Sequence, residues 1–209
     1  MPLAICVFAS ALAVVSASAA EPIEWSSTVK LTPMDFRNKV PPSATDAAHA
    51  WVALDVSWEC REGNARSHAR AMFDPDQSWW RAGTPNIWGG VEEGLSRSQL
   101  DNRRTNAQRD HDLLQHEQLH FDLTELAARK IRRELDDLAR ACVTPGHNGA
   151  IGKAIAAIEA AWSDEQARYD KDTDHGTSRV KQRQWELRVG KELSVEEVAL
   201  APRAALPSR

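Results

Sequence analysis

The sequence predicts an α+β protein in which a small N-terminal antiparallel sheet packs on two long helices. Polar and apolar residues alternate between about residue 50 and residue 73, as they do in strands that bury one face. From about residue 110 the apolar residues instead recur every three or four positions, which is typical of amphipathic helices. Strands followed by helices along one chain indicate an α+β fold, and no internal repeat favours another architecture.

The first residues have the features of a cleavable signal peptide, predicted here as residues 1–20. The apolar run Leu3–Val15 is followed by the small residues Ser16–Ala20, which form a typical cleavage site. The run is shorter than the roughly 20 apolar residues that cross a bilayer, so a permanent anchor is the weaker interpretation. A cleavable signal predicts a periplasmic or secreted protein whose mature chain begins at Glu21.

The charge balance narrows the choice of partner. The formal net charge is -4, and residues 1–20 contain no charged side chain, so the mature chain keeps the same charge. A value this close to neutral, evenly spread along the chain, argues against a nucleic-acid partner and against a membrane surface. No stable membrane insertion is expected, and the sequence leaves the oligomeric state open.

The predicted sheet is a hairpin. Residues 50–58 alternate in polarity and form the first strand, which ends near Cys60. Its predicted partner is Ser67–Phe73, reached through a turn at Glu62–Asn64. Further along, Ser78–Trp80 is expected at a sheet edge where an extended peptide could pair by strand addition. The alternative for these two tryptophans is a place in the core.

Two long helices are predicted in the second half of the chain. Apolar residues recur at helical spacing from about Asp110 to Ala141, and Thr144–Gly146 ends that helix. The second helix carries an apolar stripe from Ile151 to Tyr169. This change of period places the helices after the sheet.

The segments around the helices are less regular. Residues 82–109 are rich in Gly, Asn, Arg and Ser and show no clear periodicity, so they are either disordered or functional. The folded domain is predicted to span residues 21–190. The last residues, 191–209, are rich in Ala, Pro and charge and are predicted to form a poorly ordered tail.

The mature chain keeps two cysteines, Cys60 and Cys142. An even number of cysteines in an exported protein predicts a disulfide bond between them. The bond closes a long loop and contributes about 4 kcal/mol to stability on the chain-entropy model. A pair of buried free thiols is the alternative.

The clearest chemical pattern is formed by His116, Glu117 and His120. Histidines four residues apart share one face of a helix, where two imidazole nitrogens can bind the same Zn²⁺ ion. A glutamate directly after the first histidine lies beside the metal and can act as general base on a water whose pKa the metal lowers to about 7. The alternative is the solvated face of an ordinary amphipathic helix, where His and Glu are common.

A catalytic zinc site usually has three protein ligands, so one more ligand must come from another segment. His175 is one candidate, because it lies directly before Gly176 where the second helix ends. The carboxylates of Glu125, Asp170 and Glu134 are alternatives that the spacing leaves open.

Three residues are candidates for supporting roles. Asp112 lies one turn before His116 and could accept a hydrogen bond from the second ring nitrogen of that histidine. Tyr169 is the only tyrosine and could donate to a developing oxyanion, although its place on the apolar stripe favours core packing. Asp170, next to it, is the third candidate.

Several short motifs extend over most of the mature chain. They are Leu31–Phe36, the Pro-Pro-Ser turn at 41–43, Ser78–Trp80, His116–Asp122, Tyr169–Asp170 and Thr173–Gly176. With these motifs the chain resembles a bacterial family of secreted proteins, domain of unknown function 922 (DUF922), over roughly residues 25–186. It departs from the expected pattern at Leu119, where a small residue is usual. The resemblance implies a zinc-dependent protease with a zincin-like active-site helix, and it favours His175 as the third ligand.

These features predict a periplasmic or secreted zinc metallopeptidase of the HExxH type that acts on a peptide or protein. His116, His120 and His175 are the predicted zinc ligands, and Glu117 is the predicted general base. Two other functions stay open on the sequence alone. One is a non-catalytic zinc-binding protein of the cell envelope, and the other is a zinc amidase that acts on peptidoglycan.

Overall fold

A computed structural model of the protein describes residues 20–61, 64–81, 106–139 and 147–200. The predicted signal peptide, most of the aperiodic segment and Cys142 lie outside these residues. The predicted export and the predicted disulfide bond therefore stay predictions.

The described chain forms five strands and three α-helices. The strands are β1 (Ile23–Glu24), β2 (Ala48–His49), β3 (Val52–Arg61), β4 (Asn64–Phe73) and β5 (Trp79–Trp80). The helices are α1 (Asn106–Ala139), α2 (His147–Thr173) and α3 (Arg179–Leu200), and a short 3₁₀ turn covers Pro33–Asp35. Strands followed by helices confirm the predicted α+β class. Within the described ranges, no helix combines the length and the apolar composition of a membrane span.

β3 and β4 form the predicted hairpin. They pair antiparallel along their whole length, and β1 adds to the other edge of β4. β4 begins at Asn64, earlier than the predicted Ser67. Alternate residues of this strand, Ala69, Ala71 and Phe73, are buried, as expected for a strand that covers the core with one face.

β2 and β5 form a separate two-stranded sheet. β5 pairs antiparallel with β2 on one edge, and Asn38 bridges to Trp79 on the other edge. Trp79 is buried, and the ring of Trp80 packs against Phe36 with 5.4 Å between the centroids. Because both edges of β5 have partners, the predicted strand addition at Ser78–Trp80 is wrong. Trp79 belongs to the core, which is the alternative interpretation.

α1 is the centre of the fold. On the side of the sheet, Phe121 packs against Phe73 with 6.0 Å between the ring centroids. On the side of the other helices, Leu123 belongs to a buried cluster with Tyr169 of α2 and Trp185 of α3. A helix that is packed on several sides is held rigidly, so α1 is a firm base for the histidines that it carries.

α3 is the element that the sequence pattern does not predict. The predicted domain ends at residue 190, but the helix continues to Leu200. α3 buries Trp185 and Val189. Charged residues lie close to them along the helix, among them the exposed Arg183 and the half-buried Glu186, which pair at 3.1 Å. A narrow apolar stripe among many charged residues gives only a weak hydrophobic periodicity, so the sequence pattern does not predict this helix. The helix thus covers residues 191–200 of the predicted tail, and residues 201–209 lie outside the described chain, so the predicted poor order of the tail stays a prediction.

Candidate metal centre

Two imidazole rings meet on one face of α1. His116 and His120 are one helical turn apart, with 4.8 Å between their ring centroids. Their Nε2 atoms lie 3.3 Å from each other. Both side chains are largely buried, at 3% and 12% exposure. The structure thus brings the two histidines together as their spacing predicts.

Asp170, near the end of α2, faces both histidines. Its Oδ1 atom lies 3.2 Å from Nε2 of His116 and 2.9 Å from Nε2 of His120. The ligand atoms of these three side chains all lie within 4.8 Å of one another, close enough to hold one metal ion. Asp170 is only a supporting residue or an alternative ligand in the prediction, whereas the structure makes it the third member of the group.

Two glutamines determine which nitrogen of each imidazole faces the group. Nδ1 of His120 lies 2.6 Å from Oε1 of Gln166, and Nδ1 of His116 lies 3.3 Å from Oε1 of Gln182. The amide of Gln166 is oriented by its Nε2, which donates to the carbonyl oxygen of His120 at 3.0 Å. An amide oxygen can only accept, so both Nδ1 atoms carry a proton and both Nε2 atoms present a lone pair.

Three lone pairs therefore converge in one place. The two Nε2 atoms and Oδ1 of Asp170 are separated by 3.3, 3.2 and 2.9 Å, and this Oδ1 is buried without a hydrogen-bond donor in the described part of the chain. Partial negative charges repel at these distances unless a positive charge lies between them. Ligands arranged tetrahedrally at 2.0–2.1 Å from Zn²⁺ are roughly 3.3 Å apart. The residues present therefore fit a metal ion.

The electrostatics also favour a positive charge in the group. Burial alone raises the pKa of Asp170, but the hydrogen bonds that His116 and His120 donate once their Nε2 atoms carry a proton lower that pKa well below its usual range. Burial lowers the pKa of His120, but the hydrogen bond that its protonated Nε2 donates to Asp170 and the charge of Glu117 raise this pKa above its usual value of 6.5. The carboxylates thus attract either a proton or a metal ion to the imidazoles, and the two compete for the same Nε2 atoms.

Glu117 lies beside the group and is held from the strand side. Its Oε2 accepts a hydrogen bond from the backbone N–H of Ala50 at 2.7 Å. The side chain is buried, and it lines the same cavity as the two histidines and Asp170. Glu117 is not a member of the three-residue group, and its role as a general base stays a prediction.

The cavity in front of the group has a volume of about 610 Å³. α1 and α2 supply the wall with the histidines and Asp170. Residues 45–52, which contain β2, supply another part of the wall. A cavity of this size, with a few polar groups converging at one point, is typical of a binding site for a small molecule or a segment of a chain.

His175 lies at the rim of this cavity. The turn after α2 holds Asp174 and His175 in left-handed backbone conformations, with φ of 50° and 51°, and Gly176 follows with φ of 79°. Nδ1 of His175 is 4.0 Å from Oδ1 of Asp170, and the side chain is 61% exposed. The structure does not bring His175 into the three-residue group, so its role as a ligand stays a prediction.

Tyr169 supports the histidines from within the core. Its ring stacks on His116 with 4.7 Å between the centroids, and its hydroxyl lies 2.8 Å from Oε1 of Gln182. Burial raises the pKa of Tyr169 well above its usual value of 10. The hydroxyl is engaged inside the protein, which agrees with core packing and not with donation to an oxyanion.

Asp112 has partners other than the one predicted. It accepts a hydrogen bond from Gln108 at 3.0 Å and lies 3.8 Å from Nε of Arg179. Gln182 takes the position beside His116 that the sequence predicts for Asp112.

The other carboxylates that the spacing leaves open as ligands lie elsewhere. Glu125 is buried and pairs with Arg129 at 2.8 Å and with Arg132 at 2.6 Å. Glu134 is exposed on α1 and does not line the cavity. Of the three carboxylates considered, only Asp170 faces the histidines.

The two glutamines are functional residues that sequence reasoning missed. Gln166 precedes Asp170 by one helical turn, so it shares that face of α2, and this spacing is a signal that could have identified it. Gln182 lies in α3, whose sequence gave no clear signal of a helix.

The fold and the site define an α+β protein with a candidate His-His-Asp metal centre. Residues 92–176 match the model of DUF922, described as a bacterial protein of unknown function. This match supports the resemblance that the sequence motifs indicate, over the segment that contains the three candidate ligands and His175. No curated protein and no solved structure was found to match the chain.

Proposed function

We propose that the protein is a secreted or periplasmic zinc metallopeptidase, with Glu117 as its general base. The observation that carries this proposal is the convergence of two imidazole nitrogens and a carboxylate oxygen, with Glu117 beside them in one cavity. Metal ligands that serve stability alone usually fill all four positions of zinc, whereas a catalytic site keeps one open. Three ligands facing a cavity correspond to the catalytic kind.

His116, His120 and Asp170 hold the metal in this proposal. Asp170 takes the third position, which the sequence predicts for His175, because its Oδ1 lies within 3.2 Å of both Nε2 atoms. Zinc in such a site acts as a Lewis acid and lowers the pKa of a water molecule. Two histidines and one carboxylate also suit iron(II), so elemental analysis of the purified protein is part of the test.

Glu117 moves the proton in this proposal. The N–H of Ala50 holds its Oε2, and the side chain lines the cavity together with the candidate ligands. From there it takes a proton from the attacking water and later returns it to the leaving amine, as a general base and then a general acid do.

Glu117→Gln is the variant that tests this role. Glutamine keeps an oxygen that accepts from Ala50, so we expect the fold and the metal content to persist while hydrolysis falls at least about a hundredfold, the usual contribution of a general base. Metal content is measured by elemental analysis, and hydrolysis is measured on unfolded casein with and without a chelator.

Two results speak against the proposal. If Glu117→Gln loses the metal together with activity, Glu117 is a structural residue. If the metal-loaded wild type hydrolyses neither casein nor peptidoglycan amides, a non-catalytic zinc-binding protein is the better description. Hydrolysis of peptidoglycan alone would make the protein a zinc amidase.

A further inference from the structure

We propose that the edge of β2 that faces away from β5 binds an unfolded polypeptide in extended conformation, by strand addition next to Glu117. This inference rests on the proposed function and names its substrate class. The binding edge is the backbone of residues 47–50, which line the same cavity as the histidines.

The direction of each backbone group in β2 follows from its pairing with β5. The N–H of Arg81 donates to the carbonyl oxygen of Ala47 at 2.8 Å, so these two residues form a hydrogen-bonded pair. In an antiparallel ladder, hydrogen-bonded pairs alternate with pairs that do not share hydrogen bonds. The next pair is Ala48↔Trp80, so the N–H and C=O of Ala48 point away from β5.

The hydrogen bond of Ala50 shows which part of the protein faces this edge of β2. It is two residues beyond Ala48, so its backbone points in the same direction, and its N–H reaches the carboxylate of Glu117. The edge that carries the amide of Ala48 is therefore the edge that faces the site. Within the described residues no strand pairs with this edge, and no hydrogen bond involves the backbone of Ala48.

The side chains of this segment leave its backbone accessible to a chain in the cavity. Ala47 and Ala48 belong to a small buried cluster with Leu113. All of residues 45–52 line the cavity, and Ala47, Ala48 and Ala50 are too small to prevent close approach. Backbone pairing at such an edge gives affinity that does not depend on the side chains of the ligand.

A ligand held in this way must have its own N–H and C=O groups free. A folded substrate has already used these groups, and a glycan offers no regular series of them. The edge therefore selects an unfolded polypeptide, with a backbone amide delivered beside Glu117 and the candidate ligands.

The first test is a proline at the proposed contact. In the Glu117→Gln background, loaded with zinc and unable to hydrolyse, we measure the binding of fluorescein-labelled casein by anisotropy. Ala48→Pro removes one N–H at an edge position where proline is tolerated, whereas Ala48→Gly retains that N–H. We expect Ala48→Pro to weaken binding roughly tenfold, the cost of one lost hydrogen bond with its partner unpaired, and Ala48→Gly to bind like the parent.

The second test does not depend on the folding of a variant. An acetylated and amidated hexapeptide of alternating alanine and leucine competes with casein, and each of its backbone nitrogens is methylated in turn. Because alternate residues of a strand point to the same edge, we expect every second methylation to weaken competition at least about tenfold and the others to have little effect.

The proposal is overturned if casein does not bind, if Ala48→Pro folds and binds like Ala48→Gly, or if the methylation scan shows no alternation. Competition by peptidoglycan fragments without competition by the hexapeptide also overturns it. Hydrolysis is not part of either readout. Casein binding with the alternating scan but no hydrolysis by the wild type would therefore remove the proposed function and leave the binding edge in place.

Discussion

The amide oxygens of two glutamines decide the protonation of the candidate ligands. Oε1 of Gln166 accepts a hydrogen bond from Nδ1 of His120, and Oε1 of Gln182 accepts one from Nδ1 of His116. The Nε2 atom of each histidine is therefore available for a metal ion. Gln182 also accepts from the hydroxyl of Tyr169 at 2.8 Å, which links the orientation of His116 to the packing of the core. A metal site here depends on residues that never touch the metal.

Gln182→Leu is a residue-scale test of this dependence. Leucine fills a similar volume but cannot accept a hydrogen bond, so we expect zinc affinity to fall by about 10–100-fold, as it does when such partners are removed elsewhere. Gln184→Leu is the matched control, because Gln184 is exposed on the same helix. Isothermal titration of both variants gives the result, and equal affinities would show that Gln182 does not orient His116.

At the residue scale, spacing predicts only those site residues that share one helix. His116, Glu117 and His120 follow directly from their positions four apart and adjacent. Asp170 comes from a helix whose packing against α1 is a tertiary fact, so the sequence leaves it among several candidates. Gln182 has no pattern of its own, since glutamine is common on exposed helix faces.

The turn between α2 and α3 packs directly against the candidate ligand His116. Its backbone runs through three residues with positive φ, ending at Gly176 with φ of 79°. A Cβ at this position would lie 2.9 Å from both Cβ and Cγ of His116, closer than real Cβ contacts allow. The glycine thus permits the turn and allows it to pass directly over a candidate ligand.

Gly176→Ala is the corresponding prediction. The added methyl group is strained by its backbone conformation and displaces the ring of His116, so we expect a loss of about 1–3 kcal/mol in stability together with weaker zinc binding. Gly190→Ala is the control: nothing lies within 4 Å of a Cβ at that position in α3, and alanine there should stabilise the helix by up to about 1 kcal/mol. Urea denaturation measures both. A Gly176→Ala variant as stable as wild type would contradict the close contact.

At the element scale, a strong hydrophobic periodicity predicts a strand or a helix, whereas a weak one does not. The hairpin and the first two helices follow from clear periods of two and of three to four residues. α3 buries Trp185 and Val189 and partly buries Leu193, each four residues after the last, but charged neighbours obscure this stripe. The sequence does not predict the two partners of β5, because the pairing of a two-residue strand depends on contacts that are distant in sequence. Here these contacts are with Asn38 and with β2.

The whole molecule brings the site together around α1. The histidines are on α1, Asp170 and Gln166 are on α2, Gln182 is on α3, and the backbone beside β2 holds Glu117. The family match ends at residue 176, before α3 begins, although Gln182 supports His116. A site built from separate elements needs the complete fold, so metal affinity and global stability should change together in core variants.

The export and the disulfide bond are predictions about the mature molecule as a whole. The intact mass of protein recovered from the periplasm or the medium tests both. We expect a chain that begins at Glu21, and we expect no alkylation of Cys60 or Cys142 until a reductant is added. A mass that includes residues 1–20, or alkylation of both thiols without reduction, would remove the corresponding prediction.

The central claim is that His116, His120 and Asp170 hold one metal ion. Isothermal titration of Zn²⁺ into the metal-free wild type, His116→Ala, Asp170→Ala and His175→Ala tests it most directly. We expect one ion per wild-type chain, a loss of binding in His116→Ala and Asp170→Ala, and a much smaller effect in His175→Ala, whose imidazole lies at the rim. The account is contradicted if the wild type binds no divalent ion, or if Asp170→Ala binds zinc as the wild type does while His175→Ala does not.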